Sequence, residues 1–283
     1  MSNNTTVLIN DISKTVKIED VATTFWLIGI GVSFVGLLAQ LMLFVLVPNS
    51  RKFDEVILCQ MTIARTLYTV CEYDIMFYVK YYDYIVKNSV FVLYFHSDVV
   101  LLCLMFIFSK NLYNKVVVVF PLQSYNLMVT TVAVWTVPLL LSLLFPFLIK
   151  INDEYFEIFY NVYAHIKFFI CILNALVFVE IIRVAFSRNA SNSTRNVRDF
   201  LKTSLIAFVL VSVTSLQLLI TDIISYYYKQ IRSQLLVLIF CVVNSYQVVA
   251  LTGILFVLVR SKMNDSIVRL ISIKLDDLMA SFA

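Results

Sequence analysis

The sequence predicts an all-α membrane protein, a seven-transmembrane helix bundle followed by a C-terminal amphipathic surface helix. Three observations predict it. Seven separate stretches of about twenty mostly apolar residues or more fill almost the whole 283-residue chain, and a bilayer core about 30 Å thick needs roughly 20 helical residues to cross it. The chain is 61% hydrophobic and only 14% charged, with a mean hydropathy of +0.89, whereas soluble domains carry about 25% charged residues. The basic residues are also unevenly spread. With the N-terminus outside, thirteen of the 22 Lys and Arg fall on the cytoplasmic side, seven fall outside, and Arg65 and Lys167 lie within stretches. The positive-inside rule therefore sets the N-terminus outside and the C-terminus inside.

Residues 1–21 read as a short extracellular tail. They are polar and lack the short apolar run and small-residue cleavage site of a signal peptide, so the first span serves as its own signal anchor. Asn3 and Asn4 head overlapping sequons and are glycosylation acceptors on the lumenal side. Sequons at Asn189, Asn192 and Asn264 fall on predicted cytoplasmic segments and should stay unmodified.

The bundle occupies residues 22–260. Its stretches are Phe25–Val47, Val56–Tyr78, Val90–Phe108, Leu127–Ile149, Val162–Phe186, Leu201–Ile224 and Leu235–Val259. Gly29, Gly31 and Gly36 in the first allow close helix packing. The loop from Lys150 to Asn161 carries Asp153, Glu154 and Glu157 and suits the outside. The Ser187–Asp199 segment has no hydrophobic periodicity and reads as a solvated cytoplasmic loop. With four Gly and four Pro in all, the helices should be long with few kinks. The five cysteines all lie within stretches, so no structural disulfide is expected.

Residues 261–283 form the cytoplasmic end. Ile267, Leu270, Ile271, Leu275, Leu278, Met279 and Phe282 share one helical face, with Asp265 or Ser266 able to cap its start. Such a helix lies in the inner membrane surface. The net charge of +4 comes mostly from the cytoplasmic skew. It points to anionic membrane lipids as partners and not to nucleic acid.

Polar groups inside a membrane are costly unless paired or wet. The second stretch carries Arg65, Glu72 and Asp74, and the third carries His96 and Asp98. Arg65 and Glu72 are about two turns apart, too far for a direct pair, so Arg65 should find its partner on another helix. Glu72, Asp74, His96 and Asp98, with Gln217, Asn244 and Gln247, are the candidate ligand pocket or polar core. Their bland role is an interhelical hydrogen-bond network, worth about 0.6 kcal/mol per bond. Tyrosines at the outer ends suit interfacial anchoring. With two histidines, no metal-ligand spacing, no phosphate loop and no nucleophile elbow, neither an enzyme nor a cofactor is expected.

Several segments carry a family resemblance. Val134-Trp135-Thr136-Val137-Pro138 stands in the fourth stretch, Asn174 in the fifth (ILNALVFVEIIRV), and Asn244-Ser245-Tyr246-Gln247 in the seventh. With the seven stretches, the external N-terminus and the basic third internal loop, they resemble a G-protein-coupled receptor of the secretin/adhesion branch, including Methuselah-like receptors. That branch has Gly-Trp-Gly-x-Pro and Asn-Ser-x-Gln at the corresponding places. The rhodopsin-like pattern is missing: the third stretch ends Phe108-Ser109-Lys110, without an acidic-Arg-aromatic triplet, and the seventh lacks Asn-Pro-x-x-Tyr.

The resemblance implies a plasma-membrane receptor that signals to a heterotrimeric G protein, with Arg183, Arg188, Arg195, Arg198 and Lys202 facing that partner. It also implies that Thr6, Val7, Leu8 and Ile9, just outside the first span, act as a tethered agonist. Departures are clear. The cysteine that the family ties to its second external loop is absent, no proline interrupts Phe208–Ser215, and apolar residues near Ile57 and Phe108 stand where the family holds a His and a Glu. These suit a reduced receptor, of viral origin in one reading; a herpesvirus receptor-like protein is a second resemblance. The alternatives are a non-signalling seven-helix scaffold that binds partners, or a small-solute transporter or channel.

Overall fold

The computed structural model describes residues 2–46, 53–78, 81–116, 126–151, 153–189 and 246–256. Among these residues there is no β-strand. In chain order the helices are α1 (Ser2–Leu46), α2 (Phe53–Phe77), α3 (Tyr84–Val116), α4 (Leu127–Ile151) and α5 (Asp153–Asn189). A further apolar helix covers Tyr246–Phe256. Four segments are long and apolar enough to cross a membrane: Thr23–Leu46, Ile85–Asn114, Leu127–Leu144 and Asn161–Ile181. Among the described residues the chain is therefore all-α, and it is membrane-embedded in character. The sixth predicted span, Leu201–Ile224, and the amphipathic segment 264–282 lie outside the described residues.

The helices run past their apolar stretches. α3 spans 33 residues and α5 spans 37, because polar residues such as Asn111 and Asn114 extend the hydrogen-bond ladder without needing to face lipid. α1 shows this most strongly. It is one helix of 45 residues, about 68 Å long at 1.5 Å per residue, and it incorporates Thr6, Val7, Leu8 and Ile9. The segment read as a tail is thus helical backbone continuous with the first span.

α3 is the centre of the packing and touches α2, α4 and α5. Its buried positions cover a broad face: Val100, Leu101, Leu104, Met105, Phe108 and Leu112 are inside, while Phe106 and Lys110 on the other side are exposed. Its buried face is wider than the stripe of a surface helix, as suits a helix that packs against three others. α1, α4 and α5 bury only a stripe. On α1 the stripe is Trp26, Gly29, Ser33 and Gln40, whose helical spacing keeps them on one face. Phe25, Ile28, Val35, Leu38 and Met42 point outward, as suits a lipid-facing surface.

α2 differs in kind. It is not among the four segments apolar enough to span alone, yet Ile57, Leu58, Met61 and Ala64 anchor the main core with Val100, Leu104, Phe108, Val134 and Leu255. Asp54 and Glu55 occupy its first turn, where the helix dipole favours negative charge. Three buried threonines satisfy their hydroxyls internally: Thr62 donates to the Leu58 carbonyl at 3.0 Å, Thr66 to that of Thr62 at 2.9 Å, and Thr69 to that of Arg65 at 2.9 Å. Bonding back to the preceding turn lets a polar side chain sit in a dry interior.

α1 meets the Tyr246–Phe256 helix closely. Gln40 Nε2 donates to Thr252 Oγ1 at 3.0 Å, and Thr252 Oγ1 donates to the Val248 carbonyl at 2.7 Å. Gly36 permits that approach: a Cβ there would stand 2.8 Å from Thr252 Oγ1. Of the three glycines expected to pack closely, Gly36 is the one with such a neighbour among those described; Gly31 faces open space. Cys59, Cys71, Cys103 and Cys171 are free thiols.

Candidate functional site

The polar residues of α2, α3, α4 and α5 meet in a buried layer near the middle of the bundle. At its heart Lys167 Nζ lies 2.8 Å from Asp98 Oδ2, with side chains 2% and 4% exposed. The Tyr163 hydroxyl donates to the same carboxylate oxygen. Tyr163 and Lys167 are four residues apart on α5 and so share a face; the Lys167 ammonium also sits 5.9 Å from the Tyr163 ring centroid. The Phe95 and Tyr163 rings pack against each other in a tilted arrangement, 4.4 Å between centroids. An ion pair so enclosed ties α3 to α5, and removing one partner strands the other charge.

A second cluster links α2, α3 and α4. Gln60 Nε2 donates to Thr131 Oγ1 at 2.8 Å, and Trp135 Nε1 donates to Gln60 Oε1 at 3.3 Å. The His96 ring lies 5.8 Å from that of Trp135. His96 is buried, and its Nδ1 has no hydrogen-bond partner among the described residues. Pro138 is buried on the same helix as Trp135, and its carbonyl accepts from Ser142 at 2.7 Å.

Arg65 lies on α2 at the same depth as Asp98. The Tyr68–Tyr94 hydroxyl contact at 2.7 Å and the hydrogen bond from Asn111 to Asp54 set α2 and α3 antiparallel, which brings Arg65 opposite residues 97–100. Its side chain is 1% exposed, and its guanidinium lies 4.9 Å from the Tyr68 ring centroid. The partner expected on another helix is not found among the described residues: Nε, Nη1 and Nη2 all lack a hydrogen-bond acceptor there.

The remaining expected residues are dispersed. Glu72 and Asp74 are half-buried toward the far end of α2, and the Tyr82 hydroxyl approaches Asp74 Oδ1 at 3.5 Å. Asn174 is buried two turns along α5 from Lys167, with both amide atoms unpartnered among the described residues. Gln247 is half-buried in the Tyr246–Phe256 helix. Gln217, Asn244, Arg195, Arg198 and Lys202 lie outside the described residues. Arg183 is exposed near the end of α5 and pairs with Glu180 at 2.8 Å; Arg188 belongs to the last turn of that helix. The backbone carrying Asn3 and Asn4 is helical.

Sequence reasoning singled out Asp98 but treated Lys167 only as one charge among many, and it missed Tyr163, Gln60 and Thr131. A signal was present. Lys167, Cys171 and Asn174 recur at the spacing of the buried stripe of α5, so Lys167 had to point inward and needed a carboxylate. Among the described residues no group of His, Cys, Asp and Glu could hold a metal ion. No protein-family model matches the chain, and no curated protein matches it.

Proposed function

We propose that this chain is a receptor of the G-protein-coupled type, held in the plasma membrane with its N-terminus outside and coupled to a heterotrimeric G protein through its basic cytoplasmic segments. The observation that carries this reading is the Asp98–Lys167–Tyr163 cluster. A charge pair in the middle of a membrane bundle marks a functional site by default, and one that fastens two spans is suited to hold one arrangement against another. Arg183, exposed near the end of α5, has the accessibility a cytoplasmic partner requires. The apolar outer faces of α1, α4 and α5 support lipid as the surrounding medium.

Basal second-messenger output tests the reading in cells that express the intact chain without added ligand. Asp98→Asn, by opening the lock, should change basal output at least several-fold relative to the native chain at equal surface expression. Replacing Arg195, Arg198 and Lys202 together by Ala should abolish the signal. A flat baseline in all three, with the chain verified at the cell surface, removes the signalling reading.

A further inference from the structure

The guanidinium of Arg65 is a buried positive charge to which no carboxylate among the described residues is hydrogen-bonded. Arginine stays protonated in proteins, and an uncompensated buried charge costs several kcal/mol. The carboxylate at its depth, Asp98, is already held by Lys167 and Tyr163. Glu72 and Asp74 are seven and nine residues away along α2, roughly 10–14 Å of helix rise. Between residues 201 and 245 the sequence has a single carboxylate, Asp222. It stands about ten residues from the middle of the sixth stretch in the sequence. The Tyr68 ring stabilises the cation through its π-face but supplies no negative charge.

From this we infer that Arg65 binds a small carboxylate-bearing ligand inside the bundle. The class follows from the donors left over. Nε, Nη1 and Nη2 are all without acceptors among the described residues, and their N–H groups form the planar fork that pairs bidentately with a carboxylate. The aromatic pair Tyr68 and Tyr94, with ring centroids 4.7 Å apart, gives the ligand an apolar neighbour beside its charged end. This site goes beyond the receptor reading and does not depend on signalling.

The test is thermal unfolding of the purified full-length chain in detergent, with sodium benzoate or sodium acetate compared against sodium chloride at equal ionic strength. A ligand that binds only the folded chain raises its melting midpoint in proportion to the logarithm of its concentration. The expected result is a rise of several degrees with benzoate that is absent in Arg65→Gln. In Arg65→Lys, which keeps the charge but loses the fork, about tenfold more benzoate should be needed; this variant also serves if Arg65→Gln does not fold. No carboxylate-specific rise in the native chain overturns the inference, as does an equal rise in Arg65→Gln. So does a double-mutant cycle in which Asp222→Asn and Arg65→Gln destabilise by the same amount and do not add, because Asp222 is then the counter-charge. None of these outcomes depends on G-protein output, so the two proposals fail separately.

Discussion

Asp98 is bound on one oxygen by two donors from a single face of α5, and that asymmetry predicts how its variants behave. Asp98→Asn keeps the shape but leaves the Lys167 ammonium buried without a counter-charge, a loss of about 3–5 kcal/mol by the usual cost of breaking a buried pair. Lys167→Met removes the matching charge and should cost a similar amount. The double variant Asp98→Asn/Lys167→Met should recover much of the loss, since neither charge then remains. A thermal melt of the four proteins decides it: additive losses would mean that the two residues act independently. At the neighbouring cluster, Trp135→Phe deletes one donor to Gln60 and should cost about 1 kcal/mol, read in the same assay.

At the scale of elements, two helix features make separable predictions. Asn126 Oδ1 accepts from the Met128 N–H at 3.0 Å and the Val129 N–H at 3.4 Å, which caps the start of α4. Asn126→Ala should lower stability by about 1 kcal/mol, with little effect from Asn126→Asp. Gly36→Ala places a methyl against Thr252 Oγ1, which is itself engaged by Gln40 and Val248. The hydroxyl cannot rotate away without losing both bonds, so the substitution should cost about 1–3 kcal/mol. If Gly36→Ala in a Thr252→Ala background, where the Oγ1 atom is gone, costs as much as it does alone, the crowding is not at Thr252.

Across the whole molecule, hydropathy made the helical class legible, because an apolar run of about 20 residues has few alternatives in a bilayer. The outward faces of α1, α4 and α5 are themselves apolar, so hydropathy alone does not tell their outer side from their inner one. It could not set where α3 and α5 end, because their polar last turns follow the hydrogen-bond ladder and not the solvent. The site was half legible. Asp98, His96 and Arg65 stood out as polar residues in apolar surroundings, whereas the choice of Lys167 as partner depends on the rotation of α5 about its axis, which one sequence specifies weakly. The orientation proposed for the chain also makes a prediction at this scale. Glycosylation should occur at Asn3 or Asn4 and at none of Asn189, Asn192 and Asn264; a sugar on Asn192 would place the residues after α5 on the opposite side.

The polarity of α2 has a consequence for biosynthesis. A lone Arg at the centre of an inserting helix costs about 2.5–3.5 kcal/mol on the translocon scale, and α2 adds Glu72 and Asp74 to Arg65 within 25 residues. Its apolar neighbours Thr23–Leu46 and Ile85–Asn114 each qualify as spans, while α2 does not. The ribosome therefore delivers a segment that the translocon has little reason to release into lipid alone, and α2 must wait beside it until α3 emerges and the two enter as a hairpin. A chain truncated after residue 80 would leave α2 without α3, its main packing partner, and exposed to the quality-control machinery that removes failed membrane insertions.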